Sequence, residues 1–174
     1  MDQHTTAYHE AGHAIAAAVS GGQVVRVSIE PDIDGRDGDT QVKWPIEFTN
    51  GPASAAKTKT HALREIQVSL AGPVSEMIFQ GEYDGLRIKQ EHAYDWETAV
   101  ANAERIESSR DKQIALLSRE ASRLNDYFRK ETTWAAIAEL ADQLLAHGTI
   151  EQETVDTVVN QWLVELRDLQ KSPL

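Results

Sequence analysis

The sequence predicts a mostly α-helical α+β domain, with a small β-sheet or hairpin beside its first helix. Three observations predict this. Apolar residues recur at three- and four-residue steps through most of the chain after position 54. One early stretch, Gln23 to Glu30, instead alternates apolar with polar residues. The composition, 41% hydrophobic and 26% charged over 174 residues, is that of a globular chain long enough to bury a core. One domain is expected over 1–174. A helix and small sheet lie in 1–50, and a helical portion lies in 54–174.

The first helix is expected from Asp2 to about Ser20. Thr5 or Thr6 can cap its start, and Gly21-Gly22 can supply the left-handed residue that ends it. Its alanines suit close packing, and Gly12 leaves room for another segment to approach. Gln23 to Glu30 reads as a strand with Val25, Val27 and Ile29 on the buried face. Pro31 to Gly38 is a loop. Asp39 to about Trp44 reads as a second strand, ended or held at a sheet edge by Pro45. Asn50-Gly51-Pro52 is a further break.

Leu63, Ile66, Leu70, Val74, Met77 and Ile78 mark a helical run to Gln80. Gly72-Pro73 is expected to bend it or split it in two. A loop follows to about Glu91. From Asp95 the helical pattern resumes, with Ile114, Leu117, Ala121, Leu124 and Phe128 inward and a bend near Glu107 to Lys112. Thr132 or Thr133 can cap the next helix, which His147-Gly148 stops. Thr149 to about Leu169 reads as the last helix, with Val155, Val158 and Trp162 facing inward.

Seventeen basic residues against 28 acidic ones give a net charge of −11, which disfavours nucleic acid and anionic membranes as partners. With no cysteine, thiolate metal sites and disulfides are excluded. No apolar run is long enough for a signal peptide or membrane span, so a soluble cytoplasmic protein is expected.

The most informative stretch is His9-Glu10-Ala11-Gly12-His13, an HExxH motif. In a helix, residues four apart are rotated by only about 40° and separated by about 6 Å along the axis. His9 and His13 can therefore bind one metal ion together. Glu10 is rotated away from the metal but within reach of a water bound to it. Two imidazoles with an adjacent carboxylate form the ligand and general-base arrangement of zinc hydrolases. A catalytic zinc needs a third protein ligand. The downstream candidates are Glu76, Glu91, His92 and Asp95, and local reasoning leaves them open. Asp95 also suits an N-cap, and Glu76 suits a residue that orients a ligand histidine. His4, His61 and His147 read as surface histidines.

Thr6-Ala7-Tyr8-His9-Glu10-Ala11-Gly12-His13-Ala14 resembles the start of the zinc peptidase domain of FtsH-type (AAA-protease) membrane proteases. Val27-Ser28-Ile29-Glu30-Pro31 and Gly38-Asp39-Thr40 are similar to that family's first strand, turn and edge strand. Leu70-Ala71-Gly72-Pro73-Val74-Ser75-Glu76 resembles its Leu-Ala-Gly-Arg-Ala-Ala-Glu helix, with Pro73 in place of Arg. Asp95-Trp96-Glu97-Thr98-Ala99 falls where the family has a zinc-binding Asp that opens a helix. Leu145-Ala146-His147-Gly148-Thr149-Ile150 is similar to its last helix-to-helix turn. The likeness spans almost the whole chain.

The resemblance implies a helical zincin-like fold with His9, His13 and Asp95 as zinc ligands. It implies Glu10 as general base and Glu76 as the carboxylate that orients a ligand histidine. The family carries this domain behind a membrane segment and an ATPase module. This sequence has no Gly-x-x-x-x-Gly-Lys-Ser/Thr loop, so ATP is not an expected ligand. The expected activity is a soluble, ATP-independent zinc metalloendopeptidase acting on peptides or unfolded chains. A homo-oligomer is compatible with the resemblance. The alternative is a non-catalytic zinc-containing module that binds peptides or regulates.

Overall fold

A computed structural model describes residues 2–31, 37–45, 55–84, 88 and 92–163. Among these, the chain is mostly helical. The helices are α1 (Gln3–Val19), α2 (Ala55–Gln80), α3 (Ala93–Glu104), α4 (Arg110–Phe128), α5 (Glu131–His147) and α6 (Gln152–Trp162). Three strands, β1 (Gln23–Ser28), β2 (Asp39–Lys43) and β3 (Thr149–Glu151), form an antiparallel sheet in the order β2-β1-β3. Expectations for Asn50-Gly51-Pro52, Glu91, the last helix beyond Leu163 and the middle of the Pro31 to Gly38 loop lie outside the described residues.

α1 is the central helix. Ala7, Ala11, Ala14, Ile15, Ala16 and Ala17 are all fully or almost fully buried. Its cap is Asp2 rather than Thr5 or Thr6. The Asp2 carboxylate accepts from the Thr5 N–H at 3.1 Å and the Thr5 hydroxyl at 2.7 Å. An acidic cap also suits the positive end of the helix dipole. Gly21 ends the helix at φ 86°, a left-handed conformation that costs glycine little.

α2 is a single helix through Gly72-Pro73, so the chain is not split there. Much of the clash that keeps a residue before proline out of the helical region involves its Cβ, and Gly72 has none. α2 also packs along α1, with Ile66, Leu70, Val74 and Met77 in the core. Gly12 permits that approach. A Cβ there would lie 2.5 Å from Ser75 Cβ and 2.6 Å from the Ala71 carbonyl oxygen. The Ser75 hydroxyl donates to the Tyr8 carbonyl at 2.7 Å, and the Tyr8 ring stacks on Phe79 at 4.0 Å. These contacts fix the height of His9 against α2. Helix propensity alone would favour Gly12→Ala by about 1 kcal/mol. Overpacking costs about 1–3 kcal/mol, so the variant is expected to melt at a lower temperature than the parent. A rise in its melting temperature would contradict the close approach.

Other local readings are corrected. β1 has a bulge between Val24 and Arg26, so Val24 rather than Val25 reaches the core with Val27. Thr149–Glu151 is strand, not helix: Gly148 turns the chain at φ 71°, and the segment pairs with Arg26–Ser28. At the start of α4 the buried residues are Gln113 and Leu116, while Ile114 is exposed. Trp162 lies at the surface, its indole N–H donating to Glu139 at 2.6 Å. The expected bend near Glu107 to Lys112 is a break between α3 and α4, with Ser109 capping α4. α5 begins at Glu131, ahead of the threonines expected to cap it. Among the described residues no helix is long and apolar enough to cross a membrane.

Candidate metal centre

His9 and His13 project from one face of α1 toward α2 and α3, and both are buried. Their Nε2 atoms lie 3.0 Å apart. Asp95, in the first turn of α3, reaches both rings: Oδ2 is 3.2 Å from His9 Nε2 and Oδ1 is 3.5 Å from His13 Nε2. The N-cap of α3 is His92, so Asp95 is not spent on capping. Glu76, on α2, faces the opposite side of the His9 ring, with Oε2 2.9 Å from Nδ1.

The partners of the two Nδ1 atoms decide the tautomers. His13 Nδ1 lies 2.7 Å from the Val68 carbonyl oxygen, which can only accept, so Nδ1 carries the proton. His9 Nδ1 donates to the Glu76 carboxylate in the same way. In the neutral rings both Nε2 atoms are therefore lone pairs, and they point at each other and at a carboxylate. Electron-rich atoms converging in a buried place are costly unless a cation lies among them. Tetrahedral coordination with bonds of about 2.0–2.2 Å places ligand atoms roughly 3.3–3.6 Å apart. The observed 3.0, 3.2 and 3.5 Å, the last two to different Asp95 oxygens, lie within or slightly below that range. The donor set fits a metal ion.

Burial alone would push the His9 ring toward the neutral form. Its hydrogen bonds to Asp95 and Glu76 and the charges of Glu10 and Asp95 outweigh burial, raising the pKa to about 10. Burial alone would raise the Asp95 carboxyl, but His13, His9 and His92 together hold it below its ordinary value. Without metal, then, a proton on His9 takes the place of the cation. His9's pKa is raised above its ordinary 6.5. The stabilisation from its protonated form is thus complete below about pH 6.5 and lost as pH rises toward 10. Metal must displace that proton. Its affinity is expected to rise with pH across this window, with about one proton released per ion bound. Calorimetry at pH 7.5 in buffers of different ionisation enthalpy measures this, and zero release would contradict it.

The room for the His13 ring comes from Gly72. A Cβ at that position would overlap Nε2, and would lie 2.6 Å from Cε1 and 2.7 Å from Cδ2. Gly72→Ala is expected to weaken metal binding although alanine is the better helix former. Metal titration of the variant checks this, with unchanged affinity as the contrary result.

His92 is buried beside the cluster. Its ring lies 5.3 Å from that of His9, and its Nδ1 is 3.8 Å from Glu76 Oε2. His9, His92 and Asp95 each offer a ligand atom within 4.8 Å of the others, so this group too can hold a metal ion. Of the other histidines, His4 and His147 are exposed as expected, while His61 is partly buried between Trp44 and Glu65.

A cleft of about 460 Å³ opens over the cluster, bordered by α1, the start of β2, Val68-Ser69 of α2 and the first turns of α3. Glu10 faces this cleft, and its Oε2 accepts from the Thr40 hydroxyl at 2.7 Å. The site contacts of Thr40, Gly72 and the Val68 carbonyl are not legible in the sequence, because each arises only between elements. No protein-family model and no curated protein matches the chain.

Proposed function

We propose that this chain is a zinc-dependent, ATP-independent endopeptidase of FtsH-type peptidase character, acting on peptides or unfolded chains. The observation that carries the reading is one cleft holding two Nε2 lone pairs, the Asp95 carboxylate and the Glu10 carboxylate together. His9, His13 and Asp95 would hold the ion, and Glu76 would orient His9. Bound zinc would supply a Lewis acid that acidifies water and polarises the scissile carbonyl. Glu10 takes a proton from the attacking water as its oxygen adds to the carbonyl carbon. It then returns that proton to the amine as the C–N bond breaks. β2 stands at the edge of the sheet and its first residues border the cleft, so an extended substrate can add to it as a further strand.

The test is to incubate the zinc-loaded protein with a peptide library and an unfolded casein-like chain, reading products by mass spectrometry. Zinc-dependent fragments lost with a chelator are expected. His92 favours a second reading. His9, His92 and Asp95 can hold an ion, and were His13 to join them it would have four protein ligands, as in structural sites, and the module would bind without cutting. Tight peptide binding with no product would select that reading.

A further inference from the structure

We propose that Thr40 is the positioning residue for the Glu10 carboxylate, so that the strand offered to substrate also holds the base. The inference rests on the endopeptidase reading and extends it to β2. Side chains alternate along β2, and Asp39 and Gln41 share one face, joined by a 2.9 Å hydrogen bond. Thr40 lies on the other face, toward α1. Its hydroxyl donates to Glu10 Oε2 at 2.7 Å and lies 3.3 Å from the Glu10 carbonyl oxygen. Gly38 closes the opposite side of the carboxylate. A Cβ there would lie 2.6 Å from Oε1, 2.8 Å from Cγ and 2.9 Å from Cδ.

Glu10 has three side-chain torsions, yet it is 6% exposed and its carboxylate is held from two sides, by Thr40 of β2 and by Gly38 just before that strand. The hydroxyl leaves Oε1 uncommitted by this bond, so one carboxylate oxygen is fixed and the other is available for the proton. Gly38 and Thr40 flank Asp39, where the exposed edge of the sheet begins. Substrate that pairs with β2 would order the same residues that aim the base. This geometry assigns Thr40 a role in turnover rather than in metal binding, since its hydroxyl bonds go to Glu10.

The experiment compares Thr40→Val, which keeps the shape and loses the donor, with Thr40→Ser, which keeps the hydroxyl. Metal content is expected to match the parent in both. On a peptide the parent cleaves, Thr40→Val should lower kcat about 10- to 100-fold, the scale of a misplaced catalytic group. KM should stay within about twofold, and Thr40→Ser should recover most of the loss. Crystal structures of the zinc-loaded variants supply a readout independent of turnover: the Glu10 carboxylate should leave its place in Thr40→Val and keep it in Thr40→Ser. An unmoved carboxylate in Thr40→Val overturns the proposal, as does parental kcat. If Thr40→Val does not fold, Thr40→Ala carries the same two readouts. Should the zinc-loaded parent cleave no peptide, the endopeptidase reading fails, and the crystallographic arm still decides whether Thr40 holds Glu10.

Discussion

Glu10→Gln is expected to bind zinc as the parent does and to lose nearly all turnover. Glutamine matches glutamate in size and can still accept the Thr40 hydroxyl, so the local packing survives. What it cannot do is take a proton. General base catalysis contributes about 10²- to 10⁴-fold, and the drop in kcat should lie in or above that range. KM should change little, because glutamine keeps the volume of Glu10 and its contact with the Thr40 hydroxyl. Elemental analysis and steady-state kinetics on the same preparation check both halves. Parental turnover with full metal content would remove Glu10 from the mechanism. Loss of metal together with activity would make Glu10 part of the coordination sphere.

Asp95→Ala should cost the protein its metal. Two histidines one helical turn apart leave an ion with too few protein ligands to compete with buffer. The cluster would also lose the negative charge that draws a cation toward the two Nε2 atoms. Glu76→Ala is the informative companion. Glu76 faces Nδ1 of His9, on the far side of the ring from Asp95. Its removal should weaken binding by about 10- to 100-fold, the usual cost of losing a residue that orients a ligand. Asp95→Ala should exceed that. The contrary order, with metal retained in Asp95→Ala and lost in Glu76→Ala, would exchange the two roles. The melting temperature of each metal-free variant separates a damaged fold from a damaged site.

The sequence carried the His9, Glu10 and His13 group because its geometry is local: a helix places residues four apart on one face whatever surrounds it. Asp95 was harder. Local reasoning left Glu76, Glu91, His92 and Asp95 level, and only resemblance separated them. Spatially, two of these are told apart by which nitrogen of His9 each faces, a distinction between residues 67 and 86 positions away that no spacing rule encodes. Glu91 lies outside the described residues. The helices followed from their apolar periodicity. β3 did not, because three residues are too few to interrupt a helical pattern. Nor did the face of α4, where Gln113 is buried and Ile114 is not. Gly72-Pro73 reads from the sequence as a bend or a split, and no split occurs, since the absence of a Cβ before the proline and the packing along α1 act together only in the folded chain.

The anchor of His13 is a main-chain oxygen, that of Val68. Every side chain at position 68 presents the same carbonyl, so amino-acid substitution there leaves the tether intact. The Val68 side chain has a separate task, packing against the core. Chemical synthesis offers the way in: an ester in place of the amide that follows residue 68 would weaken that acceptor without altering any side chain, and so would expose a dependence that conventional mutagenesis passes over.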